Sequence, residues 1–348
     1  MNKSLYPGMS FLAISAVSLL FFAGCTVTNH PRARPGSYAS STIKVNFVDG
    51  KELGNHNFGS FVGEKDGIAY TCKGGHIDIA HLRIAADNVF YLYNKITKRL
   101  ENGDTDFDFK LNTDSSTFSV RVSYPPGFKS WSESRRKRVI DEVALDASQY
   151  CTWQMVSWHE VLTWFGQKAF VVVPQFQSAF SWEDSYSNLL GTILGAKAIR
   201  HPDTNFNDDM TAVLRDELKT LGCQPASVAY YASEKMRGKW FTGSVDVHIL
   251  LRNFDLGLDD GYVSPCLVPD ICPSAKPVRY PVPRMDIAKK YGFKFDLQVT
   301  GHGLANEQCL DAIYPNGNDG PIIPAKHMPI LMKCIKAEAK DMGLTVFP

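Results

Sequence analysis

The 348-residue chain has no surplus of either charge: 37 Lys and Arg stand against 36 Asp and Glu. Binding nucleic acid through its phosphates needs a basic excess, so composition excludes that class of partner. The chain also lacks an apolar run long enough to span a bilayer as a helix, because its longest such stretch covers only residues 11–23. No G-x-x-x-x-G-K-[ST] or G-x-G-x-x-G loop occurs, which removes the usual phosphate cradles of nucleotide enzymes. There is no H-E-x-x-H, no G-x-S-x-G and no paired C-x-x-C, so a zinc protease, a serine hydrolase of the nucleophile-elbow type and a Cys-based zinc site all lack their signatures. No internal repeat is visible. What is abundant is apolar material, 44% of residues with 12% aromatic, together with 26 Gly and 19 Pro. That composition builds a large core with many turns and points to a mixed α and β architecture.

The N-terminus has the parts of an export signal: Lys3, an apolar stretch from Phe11 to Ala23, and a small-residue end at Gly24 before Cys25. Phe22-Ala23-Gly24-Cys25 resembles the signal of bacterial lipoproteins, in which cleavage precedes a cysteine that then carries palmitate-type acyl chains. The reading is a signal peptide over residues 1–24, a lipidated Cys25 followed by a tether through residue 42, and a single α+β domain over 43–348. Lys3 is the only charged residue before Cys25, so the processed chain is neutral, at 36 against 36. Thr26, where an Asp would resemble an inner-membrane retention signal, points to the periplasmic face of the outer membrane. Several acyl chains anchor a protein stably without a spanning helix. Seven further cysteines at 72, 151, 223, 266, 272, 309 and 334 lie in a compartment that permits disulfides. Proximity in Pro-rich loops suggests the pairs Cys266–Cys272 and Cys309–Cys334, with Cys223 left as a free thiol.

Period-two alternation marks strands at Ile43–Val48, Thr117–Tyr124, Ser244–Leu250 and Phe293–Val299. Helical periodicity marks Asp78–Ile96, Ser132–Phe165, Ser181–Ile199, Asn207–Leu221 and Ala325–Met342. Helices in the middle and strands at both ends give α+β, with long central helices packed on short antiparallel strands, rather than a βαβ alternation. The basic run Arg135–Arg138 opens the longest helix; it is a solvated face or a contact for anionic headgroups or other envelope polymers.

Polar residues concentrate at three helical motifs. In GGHIDIAHLR, Asp78 is an N-cap, His81 sits in the first turn, and Arg83 stands four residues before Asp87. In SWHEVLTW, the His159-Glu160 pair lies at the end of the longest helix, but Thr163 occupies the place of a second histidine. In SAFSWEDSYSNLLG, Ser181 and Asp184 form a capping pattern, and Ser187, Gly191 and Gly195 recur every four residues as a smooth ridge for a neighbouring helix. Were that neighbour the longest helix, Glu183 would approach His159. Capping, i,i+4 pairing and hydrogen-bonded core histidines account for each motif singly. Jointly, His81, His159 and Glu183 form a two-His, one-carboxylate set for Zn or Fe, with Glu160 as general base and His76 and Asp87 in reserve. The polar stretch Arg252–Gly261 lacks the spacing of a calcium loop and reads as a turn after a strand.

Together GGHIDIAHLR with Asp87, WHEVLTWFG, SAFSWEDSYSNLLG and RNFDLGLDDGYVSPCLVP resemble a family of exported bacterial proteins, domain of unknown function 4056, over about residues 70–268. The resemblance implies one family domain and no particular activity. The family pattern has phenylalanine where this chain has His76 and an aromatic where it has Cys266. The resulting expectation is an envelope-facing lipoprotein acting as a metal-dependent hydrolase of an envelope component; the alternative is a non-catalytic envelope protein that binds a partner protein or polymer.

Overall fold

The structure is a computed structural model that describes residues 30–32, 34, 45–60, 62–110, 116–166, 168–169, 173–174, 176–201, 205–243, 248–317 and 320–347. The leader, Cys25, most of the expected tether and residues 43–44 and 244–247 of two expected strands lie outside these. The fold is α+β. A buried antiparallel hairpin, β1 (Ile68–Thr71) with β2 (Gly75–Asp78), runs without a loop into α1 (Ile79–Asn102). Asp78 makes that switch possible, because its Oδ1 accepts from the backbone N–H of Ala80 at 2.8 Å and of His81 at 3.4 Å. The helix ends on Gly103 in the left-handed region, φ 75°.

A three-stranded antiparallel sheet follows the order β5 (Lys294–Thr300), β4 (Thr117–Ser123), β3 (Asp106–Lys110), with Leu297 and Phe107 on either side of Val120. Its alternation matches the sequence pattern: Phe107, Phe109, Phe118, Val120 and Val122 are buried and the residues between them are not. The long helix α2 (Glu133–Trp164) is capped by Ser132, as its sequence suggests. After it come α3 (Asp184–Ile199), α4 (Phe206–Leu221), α5 (Ala226–Lys235), α6 (Asp286–Lys290), α7 (Gly303–Ile313) and α8 (Pro324–Asp341). One large apolar core joins α1, α2, α3, the sheet and α8; a second, around Tyr70, Trp182, Phe241 and Cys266, lies between the β1–β2 hairpin and α5. Of the described helices none is long and apolar enough to cross a membrane.

The packing of α3 decides where the polar residues meet. Its ridge Ser187, Gly191, Gly195 faces α1, not α2: the Ser187 hydroxyl accepts from Asp78 N–H at 3.0 Å, a Cβ on Gly191 would collide with the Leu82 carbonyl oxygen, and one on Gly195 would lie 2.8 Å from Ala86 Cα. The pairs 187–78, 191–82 and 195–86 advance together by four. Two i±4 ridges therefore interlock with the helices running in the same direction. The neighbour left open by the sequence is thus α1, because the partner of a glycine groove must itself present short side chains or bare backbone. Alpha-1 offers Leu82 and Ala86 backbone there, whereas α2 presents Trp153 and Trp158 to the core.

Two further expectations change. The disulfide joins Cys72, at the hairpin turn, to Cys272, with Cα atoms 5.4 Å apart; Cys266, Cys309, Cys334, Cys151 and Cys223 are free. The Cys266 side chain turns into the second core instead of along its own loop, so nearness in sequence misleads for both expected pairs. Arg83 and Asp87 do not bridge to each other. Each is fully buried and needs more partners than one i,i+4 contact supplies. Arg83 donates to Asp66 (2.7 Å) and the Leu53 carbonyl (2.9 Å), and Asp87 takes Arg34 (2.9 Å) and His56 (2.8 Å).

Candidate metal centre

Because α1 and α3 run side by side in the same direction, both N-termini open at the same end of the pair. Their unsatisfied N–H groups make that end favourable for carboxylates. Asp78 caps α1 and Asp184 occupies the first turn of α3, where its Oδ2 accepts from Ser181 N–H at 2.7 Å. Half of the expected capping box thus forms. The other side of the site comes from the last turns of α2. Glu160, 4% exposed, accepts the Phe180 N–H at 3.0 Å. Phe180 holds φ 53°, a left-handed conformation that costs a non-glycine residue about 1 kcal/mol and that here aims its N–H at the carboxylate. The Phe180 carbonyl receives Asn253 N–H at 2.9 Å, which ties this turn to the strand carrying Arg252.

His81 lies where these elements converge. Its Nδ1 is 3.1 Å from Asp184 Oδ1 and 3.4 Å from Asp78 Oδ2, and its side chain is 22% exposed. Ligand atoms of His81, Glu160 and Asp184 all lie within 4.8 Å of one another. Atoms bound to one ion at 2.0–2.2 Å in tetrahedral geometry are about 3.3–3.6 Å apart, so the three donors would close in around an ion by up to about 1.5 Å. Imidazole with two carboxylates suits Zn, Fe or Mn.

The structure therefore groups His81 with Glu160, which the sequence reading held as the base, and with Asp184, which it read only as a cap. Glu183 stands next to the group. It is 1% exposed, and neither carboxylate oxygen has a well-formed hydrogen bond. His159 is half-buried one position along α2 from Glu160, whose charge it influences, and its carbonyl accepts the Thr163 hydroxyl at 2.8 Å. His76 is outside the group. It is packed edge-on against Tyr70 and Trp182 with ring centroids 4.9 and 6.1 Å away, and burial pushes its imidazole down to about 4. Asp87 belongs to a different ion network, with Arg34 and His56.

Four buried carboxyls, Asp78, Glu160, Glu183 and Asp184, face two cations, His81 and Arg252. Burial opposes a charge on His81, but Asp78, Asp184 and Glu160 outweigh it and hold the imidazole protonated well above its usual range. Burial, then the charge of Asp184, pushes Glu160 up to about 7 and Glu183 well above the carboxylate range. Arg252 is 2% exposed, donates to the Ala179 carbonyl and lies 5.7 Å over Trp164 and 5.5 Å over Phe176; burial lowers it to about 10 against the pull of Asp184 and Glu160. Without a metal the cluster reaches neutrality by keeping protons on Glu160 and Glu183. A dication held by His81, Glu160 and Asp184 would displace the protons of Glu160 and His81 and leave the cluster neutral with Glu183 still protonated. Arg252 and Asp184 were missed as site residues because each has a satisfactory local role, and only the α1–α3 register reveals that 183 and 184 lie one turn from the 187–78 contact.

A family model described as protein of unknown function (DUF4056) matches residues 40–262, a span that contains His81, Glu160, Glu183, Asp184 and Arg252. No curated protein and no solved structure matches the chain.

Proposed function

Since the chain belongs to the DUF4056 family of proteins of unknown function, we propose its activity from the site alone: a divalent-metal centre at His81, Glu160 and Asp184 in a hydrolase of an envelope component, lipid-anchored through Cys25 at the outer membrane and facing the periplasm. The observation that carries this reading is the convergence of those three donor atoms within 4.8 Å of one another, on three different elements, with both carboxylates buried. A second support is Glu183, whose two buried oxygens lack good partners beside the group. A buried carboxyl without good partners is costly unless it keeps a proton or a nearby charge compensates it. The ion would supply Lewis acidity and activate water. The protein's own groups do the rest: Glu183 holds a proton at the edge of the centre, Arg252 offers a buried guanidinium to developing negative charge, and the partly exposed edge of His81 marks the side open to solvent.

The reading as a non-catalytic binding protein is favoured by a different observation. Glu160, Asp184 and Asp78 each already accept a backbone N–H, so the network also holds the helix ends together. Metal content separates the two. The detergent-solubilised full chain, incubated with Zn, Mn and Fe(II) and desalted, is expected to retain about one equivalent per chain by mass spectrometry. His81→Ala and Asp184→Asn, still folded by circular dichroism, are expected to lose it. A wild type that retains none of the three metals would end the metalloenzyme reading and leave the binding protein.

A further inference from the structure

The first turns of α2 hold a charge arrangement that helix stability does not account for. Arg135, Arg136, Lys137 and Arg138 follow one another where the positive end of the helix dipole opposes cations. Arg138 reaches Glu142 at 3.5 Å, but its side chain is 63% exposed and so solvated an ion pair does not offset a run of four. The neighbouring element adds to the same charge. Alpha-6 packs on α2, where Asp146 accepts the Ala288 N–H at 2.9 Å and the Tyr291 hydroxyl donates to Glu142 at 2.7 Å, and it brings Lys289 and Lys290 with it. Residues 129–142 and 284–291 together carry eight Lys and Arg against four Asp and Glu. In a chain whose whole net charge is +1 that excess of four leaves the remaining residues at −3.

Aromatic rings are set among these cations. Arg135, Arg138 and Glu142 recur at i, i+3 and i+7 and so share one face of α2. The Arg135 guanidinium lies 4.0 Å over the Trp131 ring, and the Lys290 ammonium 5.4 Å over the Tyr291 ring. Both rings are half-buried while Arg135, Arg138 and Lys290 are exposed. Trp131 packs on Phe128 with centroids 5.3 Å apart, and Phe128 on Phe293 at 5.4 Å, so the two half-buried rings rest on one edge of the large core. Cations and aromatic rings thus alternate over a rigid base. A soluble polyanion presents charge without an apolar layer for the rings. The headgroup region of an anionic bilayer presents both, and Trp and Tyr favour that depth.

We infer that the face made by Trp131, Arg135, Arg138, Lys290 and Tyr291 docks on an anionic lipid bilayer, with the cations at the headgroup phosphates and the rings at the interface. The inference is independent of the metal centre: Glu160 lies 25 residues farther along α2 than Arg135, roughly 37 Å at 1.5 Å per residue. It is equally independent of acyl chains on Cys25. Because the rings are only partly exposed, the contact is chiefly electrostatic, each basic residue near an anionic surface contributing a factor of about five to affinity and salt screening all of them.

The test mixes the full-length protein with vesicles whose acyl chains are brominated near the headgroup and follows tryptophan fluorescence. The contribution of Trp131 is the quenching that Trp131→Phe removes. On vesicles containing phosphatidylglycerol this component is expected to be strongly quenched. In 1 M NaCl, where the Debye length is about 3 Å, it should drop to the level seen on pure phosphatidylcholine. A triple variant, Arg135→Gln, Arg138→Gln and Lys290→Gln, should show the same loss at low salt; its three sites are exposed, and an unchanged circular dichroism melt confirms its fold. Quenching that is equal on the two lipids, or that survives salt or the triple substitution, overturns the inference. So does soluble polyphosphate held by the wild type and released by the triple variant while phosphatidylglycerol leaves Trp131 unquenched, which would make the partner a free polyanion.

Discussion

Burial and the charge of Asp184 hold the Glu160 carboxyl near 7, and three carboxylates hold His81 protonated well above its usual value. In the metal-free protein both shifts have the same sign for stability. Each group keeps its proton in the folded state over a range where the unfolded chain loses it, so their contribution to stability is fully present at low pH and is lost as pH rises from about 4.5 through 7 and beyond. Metal needs the same groups deprotonated, so its affinity rises over that window. The melting temperatures of metal-loaded and chelator-treated protein should therefore diverge steadily from pH 5 to pH 8. Glu160→Gln should flatten the metal-free slope; an unchanged slope would show that Glu160 is an ordinary carboxylate. Calorimetry in buffers of different ionisation enthalpy should record release of about one to two protons per ion near pH 6, the count expected when a dication displaces carboxyl and imidazolium protons.

At the level of elements, the close approach of α3 to α1 is what brings the first turns of both helices together. Gly191→Ala tests it. In an isolated helix alanine is better than glycine by about 1 kcal/mol, but here its Cβ would meet the backbone oxygen of Leu82, which cannot swing aside. Overpacking of that kind costs about 1–3 kcal/mol or more, so urea denaturation should show a net loss of about 2 kcal/mol and weaker metal retention. A midpoint equal to wild type would mean that the helices stand farther apart. The main helices were legible because amphipathic spacing and caps announce them; α1, α2, α3, α4 and α8 start within three residues of their expected positions. The hairpin β1–β2 was not, because all eight of its residues are buried and such strands show no alternation. Helix α5 was also missed, since ten residues with only Ala229, Ala232 and Ser233 buried leave little apolar stripe to read.

Across the whole molecule, Cys72–Cys272 closes a span of 200 residues and fastens the hairpin that leads into α1 to a loop far along the chain. Opening it should cost between about 2 and 5 kcal/mol, measured by urea denaturation of Cys72→Ser against wild type under oxidising conditions. Peptide mapping should recover 72 linked to 272. Burial raises the Cys266 thiol well above its usual value and hides it, so it should label with maleimide only after unfolding. Recovery of a 266–272 linkage would contradict this packing.

The sequence by itself determined the helices that carry the site, the cap at Asp78, the alternation of the sheet and the membership of a family, because periodicity and capping act within a few residues of chain. It also placed His81, Glu160 and Glu183 among the candidates. Only the tertiary structure decided which of them meet. The partner of the Ser187–Gly191–Gly195 ridge, the long-range neighbours of Arg83 and Asp87 and the bond from Cys72 to Cys272 all depend on which backbones approach closely, a property of packed pairs that no single stretch of sequence contains.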